Sequence, residues 1–323
     1  MRNTYVQFLV SFVALAAAPF VLSLFHLNLL SEILILAIFA LSLNVLVGFT
    51  GLVSLGHAAF FGVGAYTAAV VAQNVSADMF VTLGLAVAGS FLLAAVIGMF
   101  CIKVSGFYFL MLTLAFSQMI YSFIHQSTNL TGGSNGLSGI PRPEMGSFIF
   151  GNPVLIFYLV LAVFFVSYAV LRMIVKSPYG QVLVGIRENE TRVKSMGYNT
   201  GFYKYSAFIL AGIFGGVSGA LYTYFNGFIA PSDVYWTMSG TALIMVLVGG
   251  AGTMLGPVLG AALIVVLETI VSSYVDQWML VLGLVFITFV VFFPKGIVGI
   301  GQSLYKNAVK KKPVYEKKKS RAA

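Results

Sequence analysis

The chain has 323 residues, of which 59% are hydrophobic and only 8% charged. A soluble domain carries about 25% charged residues, so too little polar surface is present to coat a water-soluble particle, and disordered or collagen-like chains are excluded on the same grounds. The formal charge of +9 comes mostly from a basic run at the C-terminus, and the single cysteine, Cys101, excludes an internal disulfide or a cysteine-based metal site.

In chain order the apolar residues fall into blocks of membrane-spanning length, about 17–25 residues. These are residues 6–30, 33–48, 54–73, 79–102 and 107–125, then, after a polar loop, 154–175, 204–228, 238–249, 254–274 and 278–293. In lipid the backbone must satisfy its own hydrogen bonds, so each block is expected to be a helix. The second and eighth blocks are short and read as tilted spans, broken helices or re-entrant pieces. The expected fold is an all-α polytopic membrane protein of about ten transmembrane helices.

Charge gives the orientation. Segment 172–204 carries Arg172, Lys176, Arg187, Arg192, Lys194 and Lys204 against Glu188 and Glu190, and residues 304–323 carry seven lysines and Arg321 against Glu316. Loops rich in Lys and Arg stay cytoplasmic. Four expected crossings separate these two segments and six precede the first, so both termini are expected in the cytoplasm and segment 129–151 outside. A basic tail beside a membrane holds the last helix by contact with anionic lipid. Neither fold nor aromatic pattern supports nucleic-acid binding.

The sequence also repeats. Val45-Leu46-Val47-Gly48-Phe49-Thr50-Gly51 matches Val246-Leu247-Val248-Gly249-Gly250-Ala251-Gly252, and Leu-Gly follows each, at Leu55-Gly56 and Leu255-Gly256. Paired glycine-interrupted apolar segments in two halves mark the pathway of a transporter, so two pseudo-repeated halves are expected.

Three stretches carry the chemistry. In the first, Gly51 to Tyr66, Gly56 opens a small-residue helical face, and Ser54 and His57 lie three residues apart. A histidine inside a span either lines a polar route or fixes helix packing. Asn44, Gln118, Asn226, Thr241 and Glu268 join Ser54, Gly56 and His57 as candidate pathway residues. A serine-hydrolase reading lacks a carboxylate to orient His57. In the second stretch, Ser177-Pro178 starts a helix with Val182, Leu183 and Ile186 on one face, Asn189 caps a second short helix, and Gly197 ends it. Two short amphipathic helices suit a groove on another protein or the membrane surface equally. The third, Thr131-Gly132-Gly133-Ser134-Asn135-Gly136-Leu137, lacks the Gly-Lys-Ser/Thr of a phosphate-binding loop and reads as an ordered turn or a plain connector. No other segment has a nucleotide-binding motif, so the chain is expected to bind no cofactor and to hydrolyse no ATP itself.

Together these stretches resemble the permease subunits of ABC importers for branched-chain amino acids, of the LivM type. The resemblance rests on Ser54-Leu55-Gly56-His57-Ala58-Ala59-Phe60-Phe61-Gly62, Thr131 to Leu137, Gly185-Ile186-Arg187-Glu188-Asn189-Glu190, and Gly249 to Pro257. The resemblance runs from about Leu41 to Gly299, and the N-terminal span and the basic tail match nothing specific in it; the expected division is a permease domain over residues 1–303, with an external loop at 126–152, and a basic tail at 304–323. The resemblance makes 176–203 a coupling loop whose Gly185, Ile186, Arg187, Glu188, Asn189 and Glu190 meet an ATPase. Thr131, Gly132, Gly133, Asn135 and Gly136 become the external mouth. The implied partners are a second, LivH-like permease, two cytoplasmic ATPase subunits that use the ATP, and an extracytoplasmic substrate-binding protein, in a bacterial inner membrane. Similar permeases import urea or short amides; a stand-alone channel or secondary transporter is the alternative of another class.

Overall fold

The computed structural model describes residues 12–146, 148–274, 277–292 and 296–299. The start of the expected first span, residues 6–11, and the basic tail at 304–323 lie outside the described residues. The main helices are α1 (Leu24–Asn44), α2 (His57–Asn74), α3 (Met79–Cys101), α4 (Phe107–Gln126), α5 (Pro153–Lys176), α6 (Pro178–Ser195), α7 (Thr200–Asn226), α8 (Trp236–Gly249), α9 (Gly256–Ser272) and α10 (Trp278–Phe292). Two small antiparallel ribbons, β1 (Leu137–Ser138) with β4 (Phe228–Ile229) and β2 (Glu144–Met145) with β3 (Phe148–Ile149), lie in the connecting loops.

Helix starts follow the polar residues that precede them. Asp78 accepts from the Phe80 and Val81 amides (2.9 and 3.2 Å), Asn152 from the Val154 amide (3.1 Å) with Pro153 at the first helical position, and Asn199 from the Phe202 amide (3.2 Å). The break expected at residues 31–32 is absent, because the Ser31 hydroxyl donates back to the Leu27 carbonyl (2.9 Å) inside an unbroken α1. The chain breaks instead at Leu22–Ser23. From there α1 continues through wider π turns over Val45–Thr50, a run of 27 residues that is long enough to cross a membrane.

Five helices among the described residues have the length and composition of spans: α1 with its extension, α3, α4, α5 and α7. The 14-residue α8 covers only about 21 Å, less than the roughly 30 Å of a hydrocarbon core; α9 has 17 residues. At the centre, α7 packs most extensively against α2, then α3 and α1, while α9 packs against α8 and α1. Glycines set the closeness of the α7 contacts. A Cβ on Gly219 would fall 1.9 Å from the Phe61 carbonyl of α2, and one on Gly216 1.9 Å from Ser90 Oγ of α3, so these faces admit no larger residue.

The loops sort into two ends. At one, the turns before α2 and α4 share a cleft lined by Gly51, Leu52, Gly106 and Phe107, and α6 lies beside Gly51 and Gly252. At the other, β1 pairs with β4, Gln73 Nε2 donates to the Ser138 carbonyl (2.9 Å), the Glu144 amide donates to the Ala77 carbonyl (2.9 Å), and Arg142 Nη1 donates to the last carbonyls of α7, Tyr224 (2.8 Å) and Phe225 (3.2 Å). Segment 172–204, expected inside, lies at the first end, and the described part of segment 129–151, expected outside, lies at the second; the basic tail expected with the former lies outside the described residues.

Candidate functional site

The two glycine breaks meet. Gly51 and Gly252, equivalent in the sequence repeat, both have left-handed backbones, with φ of 77° and 78°, the conformation glycine adopts without a Cβ penalty. Each is followed by a short loop and then by a helix opening at Gly56 or Gly256. Asn44, at the end of α1, joins the breaks: its Oδ1 accepts from the Gly252 amide (2.9 Å) and its Nδ2 donates to the Thr253 carbonyl (2.9 Å). Local irregularity of this kind leaves backbone groups that only protein or water can satisfy, and a carboxamide satisfies one donor and one acceptor at once. The Thr50 hydroxyl donates to Val45 (2.8 Å) within the π turns, and the Arg187 guanidinium donates to the Gly48 carbonyl through Nη1.

Arg187 belongs to α6, which bends at Asn189, a residue with extended backbone (φ −161°, ψ 97°). Asn189 Oδ1 accepts from the Arg192 amide (3.0 Å), starting the second short helix, and Gly197 (φ 88°) follows its end. Leu183, Ile186 and Val193 are buried against the bundle, whereas Glu188 and Arg192 are exposed. Glu190 ties this loop to α7. Its Oε1 receives Lys194 Nζ (2.9 Å), Lys204 Nζ (3.0 Å) and the Thr200 hydroxyl (3.0 Å). Partial burial opposes its ionisation, but hydrogen bonds from Lys194 and Lys204, the Lys204 charge and the Thr200 bond outweigh it and hold the carboxyl down at about 2.

The family described as "Branched-chain amino acid transport system / permease component" matches residues 25–290. The chain belongs to this family. It is 28% identical over 314 residues to the high-affinity branched-chain amino acid transport system permease protein LivM of Salmonella typhimurium, an alignment covering 90% of this chain and 74% of that protein; the Escherichia coli LivM matches equally. A probable branched-chain amino acid transport permease protein LivM of Methanocaldococcus jannaschii is 28% identical over 178 residues, covering 54% and 50% of the two chains. No solved structure matches significantly. Members of this family are transporter components, and the multi-pass helical architecture agrees with that.

Within this permease architecture the eight expected pathway residues are dispersed. Asn44, Ser54, Gly56 and His57 are enclosed by the chain's own helices. Ser54 does not meet His57: it lies in the turn before α2 and its Oγ accepts from the Gly56 amide (3.2 Å). The partner of His57 is Ser42 on α1, with Nε2 to Oγ at 2.7 Å. The Ser42 hydroxyl has one proton and donates it to the Phe39 carbonyl (2.7 Å), so the imidazole is the donor through Nε2–H. Nδ1 is then enclosed without a partner among the described residues, and the ring packs against Phe39 and Phe60. Gln118 on α4 is half-buried with its Oε1 enclosed and without a partner among the described residues, Thr241 on α8 returns its hydroxyl to the Thr237 carbonyl (3.2 Å), and Asn226 is exposed at the C-terminal end of α7. Glu268 on α9 is half-buried, within electrostatic range of Glu32 on α1.

The loop expected outside holds an ordered turn at Thr131–Gly136. The Thr131 hydroxyl is within 2.6 Å of the Ile124 and Ser127 carbonyls, and Gly132, Gly133 and Gly136 all have positive φ. Gly136 lies directly on the Ile229 carbonyl, while Asn135 is exposed. Between α2 and α4 under this turn is an apolar cleft of about 340 Å³ lined by Val63, Tyr66, Ile120, Phe123 and Thr131, among others.

Ser42, Glu32 and the contact of Arg187 with Gly48 were not evident from the sequence. The available signal for Ser42 was a serine within the otherwise apolar run 33–43, since a buried hydroxyl needs a partner.

Proposed function

We propose that the chain is a permease subunit of an ATP-binding-cassette importer for branched-chain amino acids, working by alternating access in a bacterial cytoplasmic membrane. Its partners in this reading are a second, LivH-like permease, two cytoplasmic ATPase subunits that bind and hydrolyse the ATP, and an external substrate-binding protein. Family membership supports the transport role. The observation that carries the coupling role is the two-sided α6: Leu183, Ile186 and Val193 fasten it to the bundle, while Glu188 and Arg192 are left exposed. A helix pair fastened on one side and charged on the other suits a groove on a partner protein.

In this mechanism the binding protein delivers substrate at the end bearing the Thr131–Gly136 turn. Closure of the ATPases moves α6, and the two permeases rock against each other. The enclosed residues Asn44, Ser54, Gly56 and His57 act by holding the subunit together, and of the polar candidates Gln118, half-buried with an Oε1 that has no partner among the described residues, is the one we assign to the route. Selectivity resides largely in the binding protein, so few polar lining residues are needed.

Purification of the tagged chain from its native membrane, followed by uptake of labelled leucine and urea in a deletion strain, tests this. Recovery with ATPase subunits and restored leucine uptake are expected. Recovery without any ATPase subunit points to a channel or secondary transporter, and urea uptake without leucine uptake changes the cargo. Glu188→Lys is expected to abolish uptake while the protein still inserts.

A further inference from the structure

Arg187 lies within the segment expected to meet an ATPase, yet its guanidinium also bonds the chain's own bundle. Nη1 donates to the Gly48 carbonyl, which belongs to the π turns at the end of the α1 run, where carbonyls lack helical partners and a cation is favoured. The stem of the same side chain passes over Gly51: a Cβ there would fall 2.8 Å from Arg187 Cγ. The head passes over Gly252, where a Cβ would fall 2.6 Å from Nη1 and 2.9 Å from the Gly48 carbonyl oxygen. One side chain therefore touches both left-handed glycines of the sequence repeat, and Asn44 locks the same two segments together from the bundle side. Arg187 and its neighbour Glu188 are both exposed, and the Ile186 side chain before them is buried.

We infer that Arg187 is a positioning residue that passes movement of α6 to the paired glycine breaks, and is not a docking contact for the ATPase. The connection is a continuous chain of direct contacts: α6, Arg187, Gly48 with Gly252, then Asn44 and the end of α1. Chains of packed and hydrogen-bonded groups are one route by which coupling travels between sites. Glycine at positions 51 and 252 has a second reason beyond backbone conformation, since any side chain there displaces the arginine. A lysine at position 187 keeps the charge but loses the rigid planar fork that reaches one carbonyl while lying across two glycines.

The inference rests on the importer reading, and the test separates the two. The whole complex, with its ATPase subunits, is reconstituted in proteoliposomes with binding protein in excess. Labelled leucine uptake and ATP hydrolysis are measured on the same vesicles, and retained ATPase subunits are quantified. For Arg187→Ala, the ATPase subunits are expected to stay bound and the ATP hydrolysed per leucine carried to rise about tenfold, within the usual range of coupling between sites. Arg187→Lys is expected to fall between Arg187→Ala and the unsubstituted protein. Loss of the ATPase subunits from Arg187→Ala would make Arg187 a docking residue and overturn the inference, as would an unchanged ratio. If Arg187→Ala does not accumulate, Gly51→Ala, which displaces the arginine stem, is measured the same way with the same expected rise, and an unchanged ratio there overturns the inference. An unsubstituted complex that lacks ATPase subunits would instead remove the importer reading.

Discussion

The Asn44 side chain bridges to the backbone of Gly252 and Thr253, more than two hundred positions away in the chain, with both bonds at 2.9 Å. Asn44→Ala leaves an N–H and a carbonyl without partners in a part-buried site, at about 1–3 kcal/mol for each group so stranded. Asn44→Asp keeps the acceptor but sets an oxygen against the Thr253 carbonyl, and is expected to be at least as harmful. Thermal unfolding of the detergent-solubilised protein checks both; an unchanged midpoint for Asn44→Ala would mean the bridge contributes nothing.

His57 gives a second expectation. Its ring is enclosed by Phe39 and Phe60 and bonded to Ser42. His57→Ala leaves a cavity between helices, for which large-to-small changes cost about 2–5 kcal/mol. The amount of folded protein should therefore drop while leucine uptake per folded molecule holds. A drop in uptake per molecule at normal abundance would instead give the imidazole a part in the route.

A third concerns the contact of α7 with α2. Gly219→Leu places a side chain where even a Cβ lies 1.9 Å from the Phe61 carbonyl oxygen, so the helices must separate along their most extensive contact. Overpacking costs about 1–3 kcal/mol or more. Failure to recover a monodisperse protein by size-exclusion chromatography is expected, and a variant that elutes and melts like the original would show that the helices are less tightly fitted.

Glu190 gives a pH dependence. Its carboxylate is held at about 2 by Lys194 and Lys204 against the opposing effect of burial. A depressed acid stabilises the folded loop above the ordinary carboxylate value of 4.5, and that contribution is lost as pH falls from there toward 2. Protection of the amides of residues 190–204, taken relative to the intrinsic exchange rate at each pH, should fall below about pH 4.5, the ordinary value for a glutamate, and Glu190→Gln should show the lowered protection already at neutral pH. Equal exchange in both proteins at pH 7 would mean that the ion pairs do not hold the loop.

Much of α6 could be read directly from its residues. Ser177-Pro178, Asn189 and Gly197 are local signals, and each acts within a few positions of itself, so the start, bend and end of the element are where they were expected. The glycine breaks were legible for the same reason, because the repeat displays them twice. The partners of Arg187, His57 and Asn44 were not, since each is supplied by a distant part of the chain and depends on how helices pack, which hydrophobic pattern alone does not specify. Ser31 and Glu32 misled in the opposite sense: two polar residues in an apolar run looked like a boundary, but a serine hydroxyl bonded to the preceding turn lets the helix continue.

The halves are joined at both rims, by Asn44 to Gly252 and Thr253 at one end and by Leu137 to Ile229 at the other. A body clasped top and bottom cannot part down its own middle without breaking both clasps. The seam that opens during transport is then to be sought along an outer wall, where α3 and α4 are the least covered of the long helices.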